Sequence, residues 1–436
     1  MDDKQGDFHY IKGKCLTEQE VLRLTELNER YTHVTVGGKH KVISMKPCPT
    51  NGQELYLESL SDFKNYFLTE SSIAEKNVGE AWLAWKGKNF KPDGISFYPN
   101  VKKCPNTVYN LYQGFAISPM EGSVEPYIRH ISEILCNNDQ RAADYVLGWL
   151  AHLVQKPHDK PSVAIVMKSV EGTGKGTFFE PIKQIFGTHA VHVNGAYQLT
   201  GRFNSAVANK MVVFGDEVDL TDVRSADKLK GLISEPILSL EKKGIDPISV
   251  PNYARFIFAS NHEQVIRAGN RERRYLVLEP SAVYAQDRAY FEQLWAWVND
   301  NGPAKLLYFL LNYDLSGFNA RKAPTTQALL DEKLANLSTY QEFIHSELSK
   351  EKPFNNARRL VTSDLTDMCL NWCADNQYQL SKPTIRSGLG RLIKSMGITP
   401  KGKHGRGPIY ELPDSKELQE RFAKVLGQNR EDVFYE

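Results

Sequence analysis

The sequence predicts an α/β protein whose central sheet is parallel and covered on both faces. Three observations predict it. Ser162–Met167, Met211–Phe214, Arg255–Ala259 and Tyr275–Leu278 are near-continuous apolar runs bounded by polar turns, and strands buried on both faces show no polar alternation. A glycine-rich turn follows the first run. Helical periodicity brackets the runs, over 124–155 before them and from Asp287 to Asn312 after them. A chain of 436 residues suits roughly two to four domains. The expected division has an N-terminal α+β domain at 1–118 and a helical segment at 119–157. The α/β domain with trailing helices follows at 158–335, then a small module at 336–412 and a charged tail at 413–436.

Within 1–118, short β-like runs (Thr32–Val36, Lys41–Met45, Ile95–Tyr98) alternate with Gly, Pro and Asn turns, and no residue pattern there points to chemistry. Over 124–155, Ile128, Ile131, Ile134 and Leu135 recur at helical spacing. After a break at Asn137-Asn138-Asp139, Ala142, Tyr145, Val146, Leu150 and Leu153 do the same, and Pro157 closes the pair.

Composition narrows the class. Apolar residues at 41% exclude disorder as the main state, and 30 Gly with 21 Pro exclude collagen-like repeats. With 54 Lys+Arg against 52 Asp+Glu, any basic surface must be local. The apolar stretch Tyr145–Val154 is about half a membrane span, so no membrane partner is expected. The N-terminus lacks the apolar core of a signal peptide, so a cytoplasmic setting is expected. Cys369 and Cys373 stand at helical spacing and read as small apolar residues rather than metal ligands.

The chemistry gathers at three strand ends. The turn after the first run, from Ser169 through Gly172-Thr173-Gly174-Lys175-Gly176-Thr177, resembles a phosphate-binding P-loop. Glycines let backbone N–H groups wrap a phosphate, the following helix presents its positive end, and Lys175 adds a full charge. Two departures are visible: Ser169 replaces the first glycine, and the hydroxyl after the lysine is displaced to Thr177, the order also found in adenylate kinases. Pro181 predicts a short or kinked helix. The second run ends Phe214-Gly215-Asp216-Glu217, a Walker B arrangement in which Asp216 takes Mg²⁺, with Thr177 as its partner, and Glu217 polarises water. The third ends at Asn261, an amide suited to the γ-phosphate or the attacking water. Arg273 and Arg274 open the fourth run, and Lys242 and Lys243 mark the tip of an expected hairpin.

Taken together, GTGKGT, VVFGDE, LKGLISEP, LEKKGIDP, FIFASN and RERRY resemble superfamily 3 helicases, a branch of the AAA+ ATPases, most nearly their phage and plasmid members. The likeness covers roughly residues 25–280. It implies an AAA+ P-loop ATPase core and a homo-oligomeric ring, usually a hexamer, that uses ATP and Mg²⁺ to travel along single-stranded DNA. By the same likeness Lys175 and Thr177 belong to Walker A, Asp216 and Glu217 to Walker B, and Asn261 to sensor 1. Lys242 and Lys243 match the DNA-contacting hairpin. Arg274, with Arg273 as runner-up, matches the arginine finger, and 119–157 matches an oligomerisation collar. Related phage proteins carry a primase or polymerase, an expected partner.

Residues 381–410 hold Lys382, Arg386, Arg391, Lys394, Lys401, Lys403 and Arg406 with no Asp or Glu. A helix there followed by a Gly-rich basic hairpin suits a winged-helix-like DNA-binding module. The expected function is an ATP-dependent DNA helicase in the replication of a mobile element. The alternatives are a nucleoside monophosphate kinase and a non-hydrolysing origin-binding or loading factor.

Overall fold

The computed structural model describes residues 9–48, 52–195, 197–200, 205–218, 221, 223–242, 245–269, 272–405 and 407–434. At its centre is a five-stranded, all-parallel sheet of β1 (Ala164–Lys168), β2 (Ala190–Asn194), β3 (Val212–Asp216), β4 (Arg255–Ser260) and β5 (Tyr275–Leu278), in the order β2-β3-β4-β1-β5. Register pairs Phe214 with Ile257, Ile257 with Ile165, and Ile165 with Leu276. One face of the sheet (Met167, Phe214, Ile257, Leu276) shares a core with α2 (Gln140–Gln155), α3 (Lys175–Phe186), α5 (Arg288–Asn299) and α6 (Gly302–Asn312). The other (Val166, Val213, Phe258, Val277) meets Leu229 and Ile233 of α4 (Val223–Ser234) and Leu329 of α7 (Gln327–Ala335). This two-sided cover is why four of the strands read as near-continuous apolar runs. The strand the sequence hid, β2, lies at the sheet edge with His192 and Asn194 exposed, so its AVHVN shows no such run.

Several expected boundaries move. The segment 119–157, expected as a separate collar, forms α1 (Glu125–Arg129), a π turn (His130–Leu135) and α2, and its apolar residues lie in the sheet's own core. Nearly every residue of α2 from Ala142 to Val154 is buried, which leaves little apolar face for another copy. The N-terminal unit has its own core, from Ile11 to Trp85, under a four-stranded sheet (Gly52–Ser59, Lys39–Cys48, Tyr31–Val36, Phe90–Lys91). Phe97 and Tyr112 instead join the central core, and Gln113 N donates to His189 Nε2 at 3.0 Å. The expected tail 413–436 contributes α11 (Ser415–Val425), whose Leu418 and Phe422 pack in the C-terminal core. That core also holds α8 (Thr339–Leu348), α9 (Thr362–Asp375), α10 (Lys382–Ser395) and an antiparallel sheet of Arg359–Val361, Gly407–Glu411 and Pro400–His404. Helix α3 contains Pro181 and continues to Phe186.

One buried cation ties helix to sheet. Arg255, at the start of β4, is 1% exposed. Its guanidinium donates to the carbonyls of Trp149 (3.4 Å), His152 (3.1 Å), Lys156 (3.0 Å) and Asp159 (2.9 Å). Trp149 and His152 lie in the last turns of α2 and Lys156 and Asp159 just beyond it; His152 O and Lys156 O also accept from Lys156 N and Asp159 N, both at 3.0 Å. Burial pulls the guanidinium down to about 9, with Asp159 opposing. Arg255→Met keeps the stem and removes all four buried bonds. We expect a loss of about 3 kcal/mol of stability, read as a lower denaturant midpoint at unchanged m-value.

Candidate nucleotide-binding site

Because the strands are parallel, β1, β3 and β4 deliver their C-terminal ends to one edge, and β4 lies between the other two. The turn after β1 closes into a loop with Gly172 at φ +76° and Gly174 at φ +87°, a region only glycine enters freely. Gly174 is the N-cap of α3. Its position leaves the first-turn N–H groups of the helix available to an anion.

Lys175, 8% exposed, sits at the centre. Its ammonium donates to the carbonyls of Ser169 (2.8 Å) and Val170 (2.9 Å), to Ser169 Oγ (3.1 Å) and to Asn261 Oδ1 (2.8 Å). Burial lowers its pKa from the usual lysine value, while Asp216 and Glu171 pull the other way. Ser169, the departure from the P-loop pattern, thus becomes one of the lysine's partners, and its hydroxyl also meets Thr173 Oγ1 at 2.6 Å. Asn261 spans the loop, with Nδ2 donating to Glu171 Oε1 at 3.5 Å.

The acids complete the cleft. Glu217, at φ +51°, turns the chain at the end of β3, and its N–H donates to Asp216 Oδ1 at 3.1 Å. Asp216 Oδ2 lies 3.6 Å from His192 Nε2 on β2. A cavity of about 420 Å³ is lined by Gly172, Thr173, Gly174, Lys175, Gly176 and Thr177 together with Glu171, Asp216, Glu217, Asn261, Gln286 and Phe291. The residues expected from the loop, the acid pair and the third strand therefore converge on one cavity. Sequence reasoning missed Gln286 and Phe291, and also His130 behind the loop. They come from segments more than 40 positions away, so no local spacing marks them.

The remaining expected residues lie elsewhere. Arg273 and Arg274 do not line the cavity. Their N–H groups both donate to Glu272 Oε1, at 2.9 and 2.8 Å, and the Arg274 guanidinium lies 3.5 Å from the same oxygen. Lys242 ends the first strand of a hairpin, Ile237–Lys242 paired with Ile245–Pro251. Lys243 lies outside the described residues, as does Arg406. In the C-terminal module Lys382, Arg386, Arg391 and Lys394 are exposed on α10, and Lys401 and Lys403 are exposed on the hairpin. Lys382 pairs with Asp367 at 2.5 Å, and Lys401 with Glu411 at 3.1 Å. A groove of about 630 Å³ between α9, α10 and Gly407–Glu411 is lined by Thr362, Ser363, Lys382, Arg386, Ser387 and Tyr410, among others. Among the described residues no group of three or more His, Cys, Asp or Glu is placed to hold a metal ion. No helix among them is long and apolar enough to cross a membrane.

Comparison with known proteins agrees with the mixed α/β architecture. Residues 167–274 match a family of unknown function (DUF5906). The chain is 22% identical over 312 residues to the DNA primase-polymerase of Nitratiruptor phage NrS-1, a match covering 71% of this chain and 39% of that protein. The chain thus spans well under half the length of this relative. The apo structure of the NrS-1 C-terminal region (305–718) superposes with a TM-score of 0.67 at 15% identity, over 91% of this chain and 99% of that one. A second apo structure of the region, its A form, also gives 0.67, over 90% of this chain and 98% of that one. At this identity the structures establish the shared fold.

Proposed function

We propose that this chain is the ATP-driven motor of a phage or other mobile-element replication protein, an ATP-dependent DNA helicase of the superfamily 3 type with a P-loop AAA+ core. The observation that carries the reading is Lys175, held at 2.8 Å by Asn261 in a cavity that also contains Asp216 and Glu217. Loop, acid pair and amide arrive from three strands, and a triphosphate with its attacking water needs all three at once. The likeness to a phage primase-polymerase supports a role in replication.

Lys175 on the cavity wall and the N-terminus of α3 capped by Gly174 suit an anion, while packing keeps the loop positions glycine, since a Cβ at Gly172 would come within 2.7 Å of Gln286 Cγ and one at Gly174 within 2.5 Å of His130 Cε1. In the scheme, Lys175 leaves its loop carbonyls to bind the β- and γ-phosphates. Asn261 holds the water or γ-phosphate, and Glu217 accepts the water's proton. Asp216 and Thr177, both on the cavity wall, would hold Mg²⁺. One or two protein oxygens suffice for an ion that keeps waters and phosphate oxygens as its other ligands. Bound there, Mg²⁺ neutralises charge on the phosphates. In the scheme copies of the chain form a ring, a hexamer by the helicase likeness, in which two neighbours share each cleft.

The test is phosphate release with and without single-stranded DNA, alongside strand separation. We expect DNA to stimulate hydrolysis, and Lys242→Ala/Lys243→Ala to lose both the stimulation and the unwinding. A wild-type protein that moves phosphate to a nucleoside monophosphate and ignores DNA would overturn the reading in favour of a kinase.

A further inference from the structure

His130 is fully buried, has no part in the hydrolytic scheme, and touches the phosphate-binding loop. It opens the π turn His130–Leu135, a local widening of the helix that is frequent at functional sites. Its ring bridges two elements. Nδ1 lies 2.9 Å from the Tyr290 hydroxyl on α5, and Nε2 lies 3.3 Å from the carbonyl oxygen of Gly174. A carbonyl only accepts, so Nε2 carries the ring proton and Nδ1 accepts from the Tyr290 hydroxyl. Burial holds the His130 ring down at about 4 and pushes the Tyr290 hydroxyl up to about 12, so both keep these roles at neutral pH.

The contact is also steric. A Cβ on Gly174 would stand 2.5 Å from His130 Cε1 and 2.8 Å from Phe291 Cε1. Phe291 follows Tyr290 on α5 and lines the cavity. The same Gly174 carbonyl accepts the first-turn bond of α3, from Phe178 N at 2.9 Å. His130 therefore grips the loop where it becomes helix.

We propose that His130 is the positioning residue of the phosphate-binding loop, its Nε2–H fixing the Gly174 carbonyl so that the loop N–H groups and Lys175 meet a nucleoside triphosphate already arranged. The inference rests on the nucleotide-binding reading above, but it has a readout that does not. His130→Phe/Tyr290→Phe keeps ring volume, removes the bond to Gly174 and leaves no orphaned hydroxyl. His130→Gln keeps an N–H donor. In nucleotide-free protein, amide hydrogen exchange at Phe178 and Gln286, whose N–H groups donate to the Gly174 and Gly172 carbonyls, should quicken about tenfold in the double variant, the loss of one buried hydrogen bond, and slow again in His130→Gln. With MgATP, KM should rise more than kcat falls, and His130→Gln should recover most of the difference. Unchanged exchange in the folded double variant overturns the proposal. So does a failure of His130→Gln to restore protection. Faster exchange in a protein whose wild type shows no affinity for MgATP would keep the positioning role and sink the nucleotide reading.

Discussion

Lys175→Ala is expected to lower ATP turnover by at least about 10²–10³-fold, the scale on which losing one donor to transition-state charge is felt, while the fold stands. The lysine's four partners are Ser169 O, Val170 O, Ser169 Oγ and Asn261 Oδ1. Asn261 lines the open cavity, Val170 is exposed and Ser169 part-exposed, so water replaces the ammonium and the cost in stability should stay near about 1 kcal/mol. None of the apolar clusters that hold the sheet loses a contact surface. The two readouts therefore separate: phosphate release collapses and the melting transition barely moves. Turnover within threefold of wild type would remove Lys175 from the chemistry and leave its hydrogen bonds as loop architecture.

The legible part of the molecule was the part whose physics is local. β1, β3, β4 and β5 announce themselves because two-sided burial demands apolar side chains at every position. The loop announces itself because its positive φ values demand glycine at Gly172 and Gly174. The edge strand β2 carries His192 toward solvent, and its half-exposed pattern resembles that of a loop. Domain edges were harder, because they depend on which core a residue joins. Phe97 and Tyr112 follow the N-terminal unit in sequence and pack with the central sheet. The second layer of the site was illegible for the same reason. His130 acts on Gly174, 44 positions away, and on Tyr290, 160 away. A buried histidine beside an isoleucine on a helical segment has no signature until the fold brings those partners to it.

Arg274→Ala carries the other large expected effect, and the sheet places Arg274 away from the cleft of its own chain. Tyr275 pairs with Ala164, and Ala164 N donates to the Arg274 carbonyl at 2.8 Å, so Arg274 stands where β5 and β1 begin. The cavity lies where β1 ends. A five-residue strand spans about 13–16 Å, beyond the reach of one arginine side chain. Arg274 therefore cannot serve its own cleft, and its guanidinium lies 3.5 Å from Glu272; in the proposed scheme it would serve a neighbour's. A cation supplied to the γ-phosphate from outside is worth about 10³–10⁵ in rate. Arg274→Ala should therefore bind nucleotide as wild type does and hydrolyse it at least about 10³-fold more slowly, and Arg273→Ala should cost less. Mixing decides the matter. Lys175→Ala copies keep the arginine and lack the lysine, whereas Arg274→Ala copies keep the lysine and lack the arginine. Where the two kinds meet, one intact cleft is assembled, so the mixture should hydrolyse ATP although neither variant does alone. An inactive mixture of two folded variants, or an Arg274→Ala protein with normal turnover, would place the trans-acting cation at another residue.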